Sequence, residues 1–270
     1  MFRFSLVIGA IAALTGSCAS AQGAEPVRHR PAFELAFGGF VTDNDATIRF
    51  DSAALGRGTQ LDFADDLGFD LSKTVTRIDA IARLGNSGRH RLDASHFRLS
   101  RASTTTLEET IQFGDQVFTY SADVESQLHL AITKLNYTYI FSQGPNHEFG
   151  ASVGVFTADL DLSLTAPTLN LSEREAVTLP LPTFGLRGQS EITDRLTVKA
   201  STDLFFLETD DNAGSLIDLR LSAEYALTDN VAFGMGYYFV TTDIEYTGSR
   251  DTLSLGYDYS GLVLFLNFRL

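Results

Sequence analysis

The segment that most constrains the fold is residues 262–270, where every second side chain is apolar. Leu262, Leu264, Leu266, Phe268 and Leu270 fall on alternate positions, so an extended strand would present them as one continuous apolar row. A strand with such a face must pair along its edges, and open sheet edges are not tolerated in hydrocarbon. The segment therefore predicts an all-β fold, a transmembrane antiparallel up-and-down β-barrel.

The beginning of the sequence has the features of a secretory signal peptide over residues 1–21. Arg3 precedes an apolar run at residues 5–14, and small residues at 19–21 offer a cleavage site. The run is shorter than the roughly 20 residues that a membrane-spanning helix needs. Lipidation of Cys18 is the weaker alternative, because the usual leucine three places earlier is absent. Cleavage after residue 21 would remove the only cysteine, which excludes thiol catalysis.

The composition agrees with strands rather than helices. The 44% of hydrophobic residues are spread along the chain, and 22 glycines, nine tyrosines and 21 phenylalanines suit turns, strands and aromatic girdles. A net charge of −14 argues against a nucleic-acid partner, because few cations are free to neutralise phosphates. No cofactor is predicted.

Charged residues alternate with apolar ones along several predicted strands. An arginine that faces lipid at the bilayer centre costs about 2 to 4 kcal/mol, so the charged face is expected to line the lumen. We predict that these charges pair and plug a narrow barrel; a weakly anion-selective path is the alternative. The predicted lumen residues are Arg77, Asp79, Arg83, Arg91, Asp93, Lys134, Arg187, Glu191, Lys199, Asp203, Asp218, Arg220 and Glu224.

The lengths of the connections predict the number of strands. Short connections alternate with long ones, and transmembrane barrels place short turns in the periplasm and longer loops outside. Ten strands within residues 31–270 account for each reversal, with residues 22–30 as a periplasmic tail; eight or twelve strands are the alternatives. The first strand, residues 31–41, would then pair with the last. The predicted external loops are approximately residues 42–72, 102–125, 165–178, 208–214 and 247–252.

One irregularity interrupts the alternation in the third predicted strand, residues 89–101. Phe97 and Leu99 are apolar, although they would lie on the same face of the strand as the charged Arg91 and Asp93. This break in parity indicates either a bulge or a change of environment near the rim.

The signal peptide, the alternation of loops and the closing sequence YSGLVLFLNFRL resemble bacterial outer-membrane β-barrel proteins over essentially the whole mature chain. Residues 58–70 are similar to small uncharacterised proteobacterial barrels. The resemblance implies a monomer in the outer membrane of a Gram-negative bacterium, in contact with membrane lipids and lipopolysaccharide. It also implies recognition by the barrel-assembly machinery through the alternating row that ends at Leu270, although such signals usually end in phenylalanine.

The external loops contain candidate residues for two kinds of chemistry, metal binding and hydrolysis. Asp62, Asp65 and Asp66 are weak candidates for binding Ca²⁺ or Mg²⁺, but EF-hand spacing is absent and a solvated acidic loop is favoured.

Outer-membrane hydrolases, such as omptin-type proteases, need a histidine beside an aspartate at the outer rim. Asp210 and Asp211 fall in a predicted external loop, but His129, near that rim, has the parity of the lipid-facing residues. Ser95 and His96 are neighbours and would point to opposite faces of a strand.

The function predicted from the sequence is therefore non-enzymatic. The barrel would present its external loops for surface interaction or envelope structure. A narrow channel for small solutes is the first alternative, and an outer-membrane protease or lipid-modifying hydrolase is the second.

Overall fold

The computed structural model describes residues 30–70, 74–209, 212–247 and 252–270. The predicted signal peptide, Cys18, nearly all of the predicted periplasmic tail, Asp210 and Asp211 lie outside these residues. Among the described residues, no helix has the length and apolar character needed to cross a bilayer. The strands are β1 (Phe33–Phe50), β2 (Leu61–Asp62), β3 (Val75–Leu84), β4 (His90–Thr106), β5 (Ile111–Phe113), β6 (Gln116–Phe118), β7 (Asp123–Gln143), β8 (His147–Ala166), β9 (Leu171–Glu191), β10 (Leu196–Glu208), β11 (Asn212–Ala226), β12 (Val231–Thr247) and β13 (Thr252–Arg269).

Ten of these strands form a closed antiparallel ring. The order is β1, β3, β4 and then β7 to β13, and β13 pairs back with β1. The closing seam extends from Glu34 opposite Arg269 to Phe50 opposite Leu253. Main-chain hydrogen bonds between Phe33 and Leu270 continue the seam beyond Glu34. The predicted ten-stranded antiparallel barrel is confirmed, and its first and last strands meet as expected.

The wall of the barrel changes its chemistry along the strand direction, as β7 shows. We call the end with the short strand-to-strand turns the lower end, and the end with the long connections the upper end. In lower β7, Leu135 and Tyr137 are exposed on the outer face, whereas Asn136 is buried in the lumen. Farther toward the upper end of the same strand the polarity of the two faces is reversed. The polar His129 is exposed on the outer face, and the apolar Leu128 is buried in the lumen. The lower half therefore suits lipid outside and polar groups inside, and the upper half suits water outside and an apolar interior.

This reversal makes the strands longer than the sequence predicts. Most of the segment expected as an external loop at residues 165–178, and parts of 42–72 and 102–125, continue the strands: β1 ends at Phe50, β4 at Thr106 and β8 at Ala166. The alternation persists there, but its apolar positions face inward instead of toward lipid. A strand that is predicted from its lipid-facing apolar row therefore ends at the point where the polarity of the two faces reverses. The loops predicted at residues 208–214 and 247–252 contain residues 210–211 and 248–251, which lie outside the described residues, and β11 begins at Asn212 within the first of them.

The parity break at Phe97 and Leu99 has the same cause. Both side chains are 3% exposed and point into the upper lumen, while β4 pairs with β7 from His90 to Thr106 and with β3 as far as Phe97 without a shift in register. The change of environment is therefore the correct interpretation and a bulge in β4 is not. The irregularity in the ring lies in β7, between Ile140 and Ser142.

An irregular segment and a hairpin together cover the upper mouth of the barrel. We call residues 51–70 and 107–122, which include the β5–β6 hairpin, the external cap. The two parts are joined at Thr59 and Gln112 by main-chain and side-chain hydrogen bonds of 2.9 Å. The Phe113 ring lies 5.3 Å from the Phe50 ring, edge to face, and is 1% exposed. The cap therefore adds an apolar core of its own above the lumen.

Candidate functional site: the lumen and its external cap

The centre of the lower ion network is Glu34, which the alternation of β1 directs into the lumen. One carboxylate oxygen lies 2.8 Å from Arg83 Nη1, and the other lies 2.9 Å from Lys199 Nζ. Asn267 Nδ2 also donates to Glu34, at 3.0 Å. The three partners come from three strands, β3, β10 and β13, that are far apart in sequence. Glu34 thus joins opposite parts of the ring near the seam.

Two more carboxylates extend this cluster toward the lower mouth. Glu148 lies 2.6 Å from Arg30 and 3.1 Å from the arginine that also binds Glu34. Glu224 lies 2.8 Å from both Lys199 and Arg269. Both carboxylates are buried, so each is held by a pair of cations, as a buried charge requires.

A second cluster connects β7, β9, β10 and β11. Lys134 Nζ lies 2.7 Å from Asp203 and 2.8 Å from Asp218, and Arg187 Nη2 lies 2.5 Å from Asp203. Asp203 and Asp218 are each 1% exposed. Four charged side chains therefore neutralise one another in the middle of the lumen.

A third cluster surrounds Tyr238. Asp79 binds Arg77 at 3.0 Å and Arg220 at 3.1 Å. The two guanidinium groups lie 4.4 Å and 4.7 Å from the centre of the Tyr238 ring. Cation–π contact thus accompanies the ion pairs and brings these side chains together across the barrel.

The structure places all thirteen predicted lumen residues on the inner face. Arg91 binds Asp93 at 3.1 Å, and Glu191 lies at the lower mouth, 3.8 Å from Arg30. The sequence prediction missed Glu34, although Phe33, Leu35 and Phe37 around it form the lipid-facing row and so direct it inward. It also missed Glu148, which lies next to the outward-facing Phe149 at the start of β8.

Among the described residues, the larger cavities of the lumen lie in the lower half. A central cavity of about 100 Å³ lies among the ion clusters, and a vestibule of about 320 Å³ lies at the lower mouth. Glu34, Gln189 and Lys199 line both spaces, which therefore adjoin. In the described part of the upper lumen, the apolar cavity measures only about 30 Å³, between side chains that include Phe63 and Phe156.

The tip of the cap hairpin rests against two carboxylates of β9. A Cβ at Gly114, whose φ is +55°, would lie 2.6 Å from Glu175 and 3.2 Å from Glu173. The neighbouring Asp115 accepts a 2.5 Å hydrogen bond from Ser52 Oγ. Partial burial, and then the nearby Asp115, raise the pKa of Glu173 above its ordinary value of 4.5. The contact between cap and wall is therefore weakest when Glu173 is charged.

We expect the cap to tighten as the pH falls into the mildly acidic range. A carboxyl group whose pKa is raised by folding binds its proton more strongly in the closed state, so closure gains stability as the pH decreases through that raised pKa. Limited proteolysis of the hairpin should slow between pH 7 and pH 5. In the Glu173→Gln variant, cleavage should be slow at pH 7 and much less dependent on pH. Equal pH dependence in both proteins would contradict this explanation.

The candidate metal ligands of the first loop serve as turn caps. Asp62 Oδ1 accepts hydrogen bonds from the main-chain N–H groups of Ala64 and Asp65, both at 2.8 Å. Asp66 Oδ2 accepts one from the N–H of Asp62 at 2.7 Å. Within the described residues, no group of three or more His, Cys, Asp and Glu side chains is arranged to hold a metal ion.

Of the residues considered for hydrolysis, His129 lies on the outer wall. His129 Nδ1 is 3.0 Å from Ser100 Oγ, and Asp161 is opposite His129 on the next strand. Arg174 binds both oxygens of Asp161, and this hydrogen bonding lowers the pKa of Asp161. Together they form a polar row across exposed strands. Ser95 lines the central cavity, on the opposite face from its neighbour His96.

A closed ring of ten antiparallel strands, with an apolar outer band and ion pairs inside, has the fold of a bacterial outer-membrane β-barrel. Among solved structures, the chain is similar to the outer membrane protease OmpT of Escherichia coli, at 11% identity and a TM-score of 0.52, covering 92% of this chain and 100% of that one. This similarity concerns the fold alone. No family model and no curated protein matches the sequence.

Two further structures cover similar shares of the chain with lower structural similarity. The toluene transporter TodX of Pseudomonas putida is 11% identical, covers 93% of this chain and 95% of its own, and has a TM-score of 0.32. Neisserial surface protein A is 13% identical, covers 88% and 97%, and has a TM-score of 0.30. At these scores neither comparison carries an argument about function.

Proposed function

We propose that this protein is a Gram-negative outer-membrane barrel with a closed lumen, whose upper wall and cap form a surface for interaction or envelope structure. The observation that carries the proposal is the filling of the lumen at two levels. Ion pairs occupy the lower half, and apolar side chains occupy the upper half beneath the cap. A ten-stranded barrel is narrow enough for side chains to fill it in this way.

The balance of charge in the lower lumen favours a plug over an ion-selective path. The ion-pair network of the described residues contains nearly equal numbers of cations and anions, and each member has a partner of opposite charge. Buried charges held in this way resist rearrangement, because separating them leaves an uncompensated charge. The cations are Arg30, Arg77, Arg83, Arg91, Lys134, Arg187, Lys199, Arg220 and Arg269, and the anions are Glu34, Asp79, Asp93, Glu148, Glu191, Asp203, Asp218 and Glu224.

The outer face supports the proposed membrane partners. Leu262, Leu264, Leu266, Phe268 and Leu270 form one exposed row on β13 and its end, with 39 to 74% of each residue exposed. In the proposed setting this row contacts the hydrocarbon of the outer membrane, after the assembly machinery has recognised it. The polar upper wall then lies among lipopolysaccharide and external water. The closed ring leaves no strand edge for pairing, in agreement with a monomer.

Electrical recording in planar bilayers, combined with surface labelling of cells, tests this proposal. The reconstituted protein should give no discrete conductance steps in 1 M salt, and an antibody against residues 107–122 should bind intact cells. Heat-denatured protein in the same detergent provides the background. Reproducible steps that scale with salt would support the narrow channel instead, and a cap that antibody reaches only after the outer membrane is opened would overturn the proposed orientation.

A further inference from the structure

The central cavity contains hydrogen-bond donors that the protein itself does not use. Arg91 binds Asp93 through Nε, and its two terminal nitrogens donate no hydrogen bond to a described residue. Arg220 uses Nη1 for Asp79. Ser222 Oγ is buried, with the residue 3% exposed, and has no hydrogen-bond partner. All of these residues line the same cavity of about 100 Å³.

The carboxylates around the cavity are already engaged. Asp79 is held by two arginines, Asp203 by Lys134 and Arg187, and Glu34 by a lysine and an arginine. They are therefore poor acceptors for the remaining donors. Donors that are left without an acceptor are costly in a buried space.

We propose that the central cavity binds one small inorganic anion about the size of chloride. The anion accepts hydrogen bonds from the free guanidinium nitrogens and from Ser222 Oγ. Water supplies hydrogen bonds to Asn267 Oδ1 and Gln189 Oε1, the buried acceptors without partners on the side toward the vestibule. The volume accommodates a halide or nitrate together with a few waters.

The site is reached through the vestibule at the lower mouth of the barrel. The vestibule adjoins the cavity at Gln189 and Lys199, whereas the apolar side chains above leave only about 30 Å³. An anion therefore enters and leaves from the periplasmic side and does not pass through. The site extends the proposed function without depending on it, since a barrel with a different external function would hold the same anion.

Chloride binding can be measured by the broadening of the ³⁵Cl NMR signal with folded protein in detergent micelles. Wild-type protein should give saturable broadening that bromide and nitrate reverse and that gluconate, a larger anion, does not. The Ser222→Ala variant should bind chloride about tenfold more weakly, because it lacks one hydrogen bond to the charged ligand. Ser152→Ala is the matched control, because Ser152 also has a buried hydroxyl without a partner but does not line this cavity. Its chloride affinity should equal that of the wild type.

The location of the anion can be established separately by anomalous diffraction from crystals grown in sodium bromide. A bromide peak within the cavity lined by Arg91, Arg220 and Ser222 would support the proposal. Wild-type protein without saturable broadening, equal weakening in both serine variants, or bromide only on the outer surface would each overturn it. These outcomes are independent of bilayer conductance and antibody labelling, so failure here is distinguishable from failure of the proposed function.

Discussion

Replacement of Glu34 by glutamine is expected to destabilise the folded barrel by about 1.5 to 3 kcal/mol. The carboxylate is 4% exposed and is shared by Arg83 and Lys199, so its neutral isostere removes a buried counter-charge from both cations, although Arg83 keeps Glu148 and Lys199 keeps Glu224. The change also removes the ion pair that links β1 to β10 across the lumen. The free energy of unfolding should be measured by urea titration in lipid vesicles, with folding followed by the shift in gel mobility.

The control for this variant is Asp161→Asn, which breaks an ion pair on the exposed upper wall. Asp161 and Arg174 face water, where ion pairs contribute little. Its unfolding free energy should remain close to that of the wild type. If Glu34→Gln were as stable as this control, the lumen charges would not hold the ring together, and the plug would lose its physical basis.

Replacement of Leu264 by arginine is expected to cost about 2 to 4 kcal/mol. Leu264 lies within the apolar row of β13 and is 55% exposed, so in a bilayer its side chain faces hydrocarbon. The same urea titration in vesicles measures the loss. Arginine at Ser254, higher on the same face of the same strand, should be nearly neutral because that position lies above the apolar band.

The pair of variants locates the membrane on the barrel. Equal stability of Leu264→Arg and Ser254→Arg would mean that the band at residues 262–270 does not face lipid. A large loss in both would place the upper wall inside the bilayer, contrary to its polar outer face.

The sequence predicts the lower half of this fold well and the upper half poorly. Along β13, the alternation of Leu262, Leu264 and Leu266 specifies both the strand and its lipid-facing side. Along upper β1 the same alternation continues, but Ala46, Ile48 and Phe50, which lie in a segment predicted as loop, face inward. An alternating pattern specifies two faces of a strand without specifying which face meets lipid, so the water-exposed part of the wall was predicted as loop.

The sequence predicts which charged side chains line the lumen, but it does not predict which of them form ion pairs with one another. Charge on alternate positions directs Asp79, Lys199 and Asp203 into the lumen, because the opposite face is apolar. Which cation meets which anion depends on the stagger of ten strands: Glu34 and Lys199 are 165 residues apart in sequence. The packing of the cap could not be predicted for a related reason, since Phe113 of the β5–β6 hairpin contacts Phe50 of β1, a strand that is distant in sequence.

The most direct test of this account is the accessibility of single cysteines placed along the outer face of β7, in a mature chain without other cysteines. A membrane-impermeant maleimide applied to intact cells should label cysteine at Gln127 and His129 and leave cysteine at Leu135, Tyr137 and Tyr139 unmodified until the membrane is dissolved and the protein unfolded. This result would place the change from water to lipid between His129 and Leu135, where the wall reverses its polarity. Labelling of all five positions on intact cells, or of none, would contradict it.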